Sequence, residues 1–208
     1  MKPLALATIT LVAFVFASGC GDSGSRGDST DGSGGSTSTG TNAGGSTSAT
    51  NGATTGGGDP EPVEMNGMTA AHNVARANVS PPASTPIPPL SWSSDIAAVA
   101  QAYAENCVFE HSMGDYGENL YAESGLDATP ADVVDAWVGE VADYDYASNT
   151  CAANAMCGHY TQVVWADSAR LGCGVANCST NSPFGSGDWV LWVCNYDPPG
   201  NYIGEKPY

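Results

Sequence analysis

The sequence predicts an α+β domain, a three-layer α-β-α sandwich stapled by three disulfides. Three observations predict it. Helical apolar spacing dominates the first half of the globular part, apolar runs rich in β-branched and aromatic residues dominate the second, and six of seven cysteines fall between Cys107 and Cys194. Strands apolar on both faces need helices on both sides.

The globular part does not begin at Met1. Met1 and Lys2 precede an apolar stretch from Leu4 to Ala17, too short to span a bilayer and suited to a signal peptide over residues 1–19. Ala17-Ser18-Gly19-Cys20 resembles a lipobox, whose cysteine is acylated, although Ala17 stands where leucine is more usual; cleavage near Ala17 is the alternative. Acylation of Cys20 leaves an even six cysteines for pairing. From Gly21 to Pro60, 29 of 40 positions are Gly, Ser or Thr, too little apolar surface to offset ordering entropy. Residues 20–60 therefore read as a tether and 61–208 as one domain.

Within that domain, Met65 to Val79 reads as a first helix, stopped by Ser80-Pro81-Pro82. A second begins near Ser93-Ser94-Asp95 and places Ile96, Ala100, Tyr103 and Cys107 on one face. Thr129-Pro130-Ala131-Asp132 is a capping-box variant with proline at the first helical position, opening a third helix that continues through Trp137 to Val141. Tyr160 to Ala166, Leu171 to Cys178 and Trp189 to Tyr196 read as strands, and Gly117 to Leu120 as part of a loop.

Net charge is −17, and from Glu61 onward only Arg76, Arg170 and Lys206 are basic. Nucleic acid and anionic lipid surfaces are poor partners for such a chain. Glu140 lies on or beside the apolar stripe of Val133, Trp137 and Tyr144, where a carboxylate needs a partner or a cavity. His159 is a plausible partner. Together with His111 and Glu118, these residues could converge on a divalent metal such as zinc, the histidines as ligands. Spacing alone favours the alternative, in which His111 and His159 are hydrogen-bonded structural residues, Glu118 caps a turn and Glu140 borders solvent. His72 reads as structural. No His-Glu-x-x-His, Cys-x-x-Cys or Gly-x-Ser-x-Gly pattern is present. The number, irregular spacing and exported setting of the cysteines favour disulfides over metal binding; Cys151 and Cys157 could close a local loop.

The runs His72-Asn73-Val74-Ala75-Arg76, Cys107-Val108-Phe109-Glu110-His111-Ser112, Gly117-Glu118-Asn119-Leu120, Gly158-His159-Tyr160-Thr161-Gln162-Val163-Val164-Trp165, Leu171-Gly172-Cys173-Gly174 and Cys194-Asn195-Tyr196-Asp197-Pro198-Pro199-Gly200-Asn201-Tyr202 resemble the CAP superfamily. That group holds cysteine-rich secretory proteins, antigen five and plant group-one pathogenesis-related proteins, and the plant branch matches best. The resemblance implies a cleft lined by His111, Glu118, Glu140 and His159, with zinc or another divalent cation held by His111 and His159. It also implies the pairs Cys107 with Cys178, Cys151 with Cys157, and Cys173 with Cys194. The acylation signal, the tether and a longer loop from Ser179 to Asp188 depart from the plant pattern. The function implied is an exported, membrane-tethered binding module for a lipid, sterol, peptide or carbohydrate. The alternatives are a metal-assisted hydrolase using Glu118 or Glu140 as general base, and an envelope spacer with no ligand.

Overall fold

A computed structural model describes residues 58–208. The expected leader, Cys20 and all but the last three positions of the tether lie outside the described residues. A four-stranded sheet in the order β1-β5-β6-β2 forms the middle layer. Its members are β1 (Ser91–Trp92), β2 (Gly117–Ser124), β5 (Arg170–Cys178) and β6 (Trp189–Asp197), all neighbours antiparallel except β1 with β5. A small hairpin of β3 (Tyr144–Asp145) and β4 (Thr150–Cys151) stands apart. Helix α2 (Ser94–Ala104) covers one face of the sheet, while α1 (Met68–Ala77), α3 (Pro130–Gly139) and α4 (Gly158–Val163) cover the other.

Local sequence explains α3 best. Thr129 Oγ1 accepts from the Asp132 N–H, the Asp132 carboxylate accepts from the Thr129 N–H at 2.9 Å, and Pro130 occupies the first turn. The first helix is shorter than its apolar pattern: Val63–Met65 form a separate 3-10 turn, and Glu61 caps α1 by accepting from Gly67 and Thr69 N–H groups. The second helix ends at Ala104, so Cys107 lies beyond it with φ 54° and packs half-buried against the apolar cluster under α2. α2 lies directly on β5 because Gly172 and Gly174 offer no side chain; a Cβ at Gly172 would stand 2.2 Å from the Ala97 nitrogen.

Two expectations are corrected. Tyr160 to Ala166 is not a strand: Gly158–Val163 is helical. Its β-branched composition is outweighed by partners far away in sequence. Glu140 Oε2 accepts from the His159 and Tyr160 N–H groups at the helix start, and buried Arg76 donates to the Val163 carbonyl at its last residue and to the Trp165 and Ser168 carbonyls beyond it. An anion at the first turn and a cation at the last suit the helix dipole. Conversely, Gly117 to Leu120 is not loop but the start of β2, paired with β6 throughout.

The disulfides are Cys107–Cys178, Cys151–Cys157 and Cys173–Cys194, as the resemblance implies. Cys173 and Cys194 face each other across β5 and β6.

Candidate functional site

β2 is an edge strand, and its alternation sends neighbouring residues to opposite faces. Asn119 turns towards the α1/α3/α4 layer, donating to the His159 carbonyl at 3.0 Å and the Tyr196 hydroxyl at 3.1 Å. Glu118 shares the other face with Leu120, which packs under α2. The site residues thus form two imidazole–carboxylate pairs, linked through Asn119 around the free edge of the sheet.

In the first pair, His111 Nδ1 lies 2.9 Å from Glu118 Oε1, which also accepts from the Ser112 N–H at 2.8 Å. His111 is half exposed, whereas the Glu118 side chain is 7% exposed, with Oε2 buried and without a hydrogen-bond partner. Burial alone would raise the Glu118 pKa, but the hydrogen bonds from His111 and Ser112 outweigh it and hold the carboxyl below its ordinary value.

In the second pair, His159 Nδ1 lies 2.6 Å from Glu140 Oε1. Glu140 is not within the α-helix proper but caps α3, where the chain tightens into the 3-10 turn Glu140–Asp143. The His159 ring stacks on Trp137, with centroids 6.2 Å apart and an interplanar angle of 21°. Trp137 is itself fixed by donating to the Leu120 carbonyl at 3.1 Å. His159 stands near the start of α4, not at a strand entrance.

Both carboxylates therefore engage Nδ1. With Nδ1–H donating, each Nε2 keeps its lone pair, the state in which an imidazole binds a metal with a carboxylate behind it. No group of three or more His, Cys, Asp or Glu side chains that could hold a metal ion is found among the described residues. What the arrangement offers chemically is two imidazole nitrogens, each ring held at Nδ1 by a carboxylate. As a general base, Glu140 is poorly placed, since both its oxygens already accept hydrogen bonds. Glu118 keeps Oε2 free, yet its lowered pKa makes it a weak base.

His72 is structural: Nδ1 bonds the Met68 carbonyl at 2.8 Å and Nε2 the Tyr196 hydroxyl at 2.9 Å. Burial lowers its pKa to about 4. Sequence reasoning passed over Arg76 and Asn119. Arg76 is 1% exposed and donates to backbone carbonyls, Pro88 O among them, with no carboxylate partner among the described residues. A lone charged residue in the helix Met68–Ala77 was the available signal.

The sequence profile of the cysteine-rich secretory protein family, CAP, matches residues 69–196, more than half of the chain. The chain belongs to the CAP family. It is 49% identical over 142 residues to pathogenesis-related protein 1A of Nicotiana tabacum, covering 66% of this chain and 77% of that protein. Among solved structures, the fold resembles that of NaASP2 crystallised with Zn2+, with TM-score 0.56, 24% identity and coverage of 70% of this chain and 84% of that one. Venom allergen-like protein 4 of Schistosoma mansoni gives TM-score 0.55 and 25% identity, covering 71% of this chain and 95% of that one. The α-β-α sandwich of this CAP domain carries both imidazole–carboxylate pairs within the matched region. Its three disulfides and its kinship with plant pathogenesis-related proteins fit an extracellular setting.

Proposed function

We propose that the chain is an exported CAP binding module in which His111 and His159 hold a divalent cation, with Glu118 and Glu140 fixing the two rings. One observation carries this reading: each ring has Nδ1 committed to a carboxylate, leaving Nε2 as the metal-binding nitrogen. Zinc fits two imidazoles completed by solvent or ligand, and NaASP2, which shares the fold, was crystallised with Zn2+. The cation would supply a positive charge on an acidic domain, attracting a polar head group or a carboxylate of the ligand. The ligand classes are lipid, sterol, peptide and carbohydrate, and acylated Cys20 would tether the module to a membrane. Binding is preferred over hydrolysis because Glu140 is fully hydrogen-bonded and Glu118 is held ionised.

Calorimetric titration of the metal-free full chain with zinc tests the site. The expected result is one saturable site, weakened about 10- to 100-fold in Glu140→Gln and absent in the double variant His111→Ala with His159→Ala. Zinc uptake unaffected by the double variant would overturn the reading. A panel of labelled sterols, fatty acids and cell-wall fragments, with and without zinc, then identifies the ligand class.

A further inference from the structure

We propose that the cavity between the β3–β4 hairpin, α4 and the segment Asn201–Pro207 binds a small organic ammonium ion, its charge towards Glu205 and its apolar body against aromatic walls. The cavity has a volume of about 420 Å3, in the range of small-molecule sites. Its aromatic lining is Tyr144, Trp165 and Tyr202, with Met156 and the Cys151–Cys157 disulfide beside them. None of His111, Glu118, Glu140 and His159 lines it, so the position is separate from the imidazole–carboxylate pairs.

Internal hydrogen bonds fix the walls. Thr161 Oγ1 donates to Asn201 Oδ1 at 2.7 Å, and Asn201 Nδ2 to the Gly158 carbonyl at 2.8 Å. Asn149 accepts from the Tyr144 hydroxyl at 2.6 Å and donates to the Glu205 carbonyl at 2.9 Å. Trp165 meets Tyr202 edge-on, with centroids 6.0 Å apart, and Gly200 packs on its indole, where a Cβ would stand 2.5 Å from Cγ. The amides and the threonine hydroxyl of the lining are thus engaged with one another and with the backbone. Aromatic surface and one charge are left as the principal means of recognition, which suits an ammonium ion better than a sugar.

That charge has no internal partner. The Glu205 carboxylate makes no hydrogen bond or ion pair among the described residues, although its backbone N–H and carbonyl are both bonded. The three basic residues beyond Glu61 are committed elsewhere: Arg76 to buried carbonyls, Arg170 to Asp197, and Lys206 to the Ala147 carbonyl at 3.1 Å, with Nζ 4.6 Å from the centre of the Tyr146 ring. An anionic ligand would meet 18 acidic residues against those three. A cation with an apolar body gains from the carboxylate and from the aromatic faces together.

The test is a ligand-observed NMR titration of the full chain, held metal-free by a chelator, with phenethylammonium and with its neutral counterpart 2-phenylethanol. The expected result is saturable binding of the ammonium ion, at least about fivefold tighter than that of the alcohol. Glu205→Gln should weaken the ammonium ion about three- to fivefold and leave the alcohol unchanged, whereas Tyr202→Ala should weaken both. Glu64→Gln removes an exposed charge outside the lining and should leave the ammonium ion within about 1.5-fold. Both glutamates are exposed, so neither replacement disturbs packing. Equal affinities for the two probes, equal losses in Glu205→Gln and Glu64→Gln, or no saturable binding of the ammonium ion would overturn the proposal. Zinc uptake in the titration described above without ammonium binding rejects this site alone, and ammonium binding without zinc uptake rejects only the imidazole reading.

Discussion

The two faces of the sheet hold their halves of the site by different means. Against α1, α3 and α4 lies a buried polar network in which Arg76, His72, Asn119 and Tyr196 are hydrogen-bonded, and His159 with Glu140 belongs to it. Against α2 the packing is apolar, made by Ala100, Ala104, Leu191 and Val193 and secured by the Cys107–Cys178 disulfide. His111 stands on a half-exposed loop at its margin. One imidazole is therefore fixed by the fold and the other by a loop and a single carboxylate. The proposed site thus has one wall built into the buried network and one carried by an exposed loop.

Disabling the network's cation should have the largest effect. Arg76→Leu orphans the buried carbonyls of Val163, Trp165 and Ser168 and the part-buried one of Pro88, and its cost is set at about 4 kcal/mol, measured by urea unfolding. Loss below about 1 kcal/mol would mean that the polar face does not depend on this residue. Burial lowers the Arg76 pKa to about 10, so the guanidinium is charged at neutral pH.

Acid should sharpen the contrast next. The folded His72 pKa is depressed from 6.5 to about 4, chiefly by burial, so the unfolded chain binds more protons in that window. Stability is then complete above pH 6.5 and declines by about 3 kcal/mol as pH falls to 4. Glu118 acts in the same direction: its lowered pKa contributes stability above the unfolded value near 4.5, lost as pH falls below it. A His72→Gln variant should flatten the upper part of the curve, while an unchanged slope between pH 6.5 and 4.5 would assign the loss elsewhere.

The smallest effects separate the two carboxylates themselves. Glu140→Ala removes the acceptor of two N–H groups at the start of α4 as well as the His159 partner, at a cost of about 2 kcal/mol. Glu118→Ala removes an inward oxygen that has no partner and exposed bonds to the His111 ring and the Ser112 N–H, and should cost about 1 kcal/mol, less than Glu140→Ala. Equal losses in thermal or urea unfolding would erase the distinction between the network wall and the loop wall.

How far the sequence could be read depended on where each element finds its partners. Thr129, Pro130 and Asp132 cap α3 within one turn, and that helix was legible. β2 was not, because Glu118, Asn119 and Glu123 interrupt the apolar alternation of an edge strand whose polar side chains serve the site. The partnership of Glu140 with His159 could be suspected from a charge on an apolar stripe, whereas the second role of Glu140, accepting from the α4 backbone, could not.

Residue types and short spacings alone determined the sandwich class, the capped third helix, the oxidised cysteines and the four candidate side chains. Only tertiary structure decided that the segment from Gly158 to Val163 is a helix, that Arg76 is buried against backbone carbonyls, and that Asn195 stands opposite Glu118. The physical reason is range. Capping and amphipathic periodicity act within a few residues, but backbone groups left unpaired inside the protein are satisfied by side chains 19 to 92 positions away, and no local pattern records which ones.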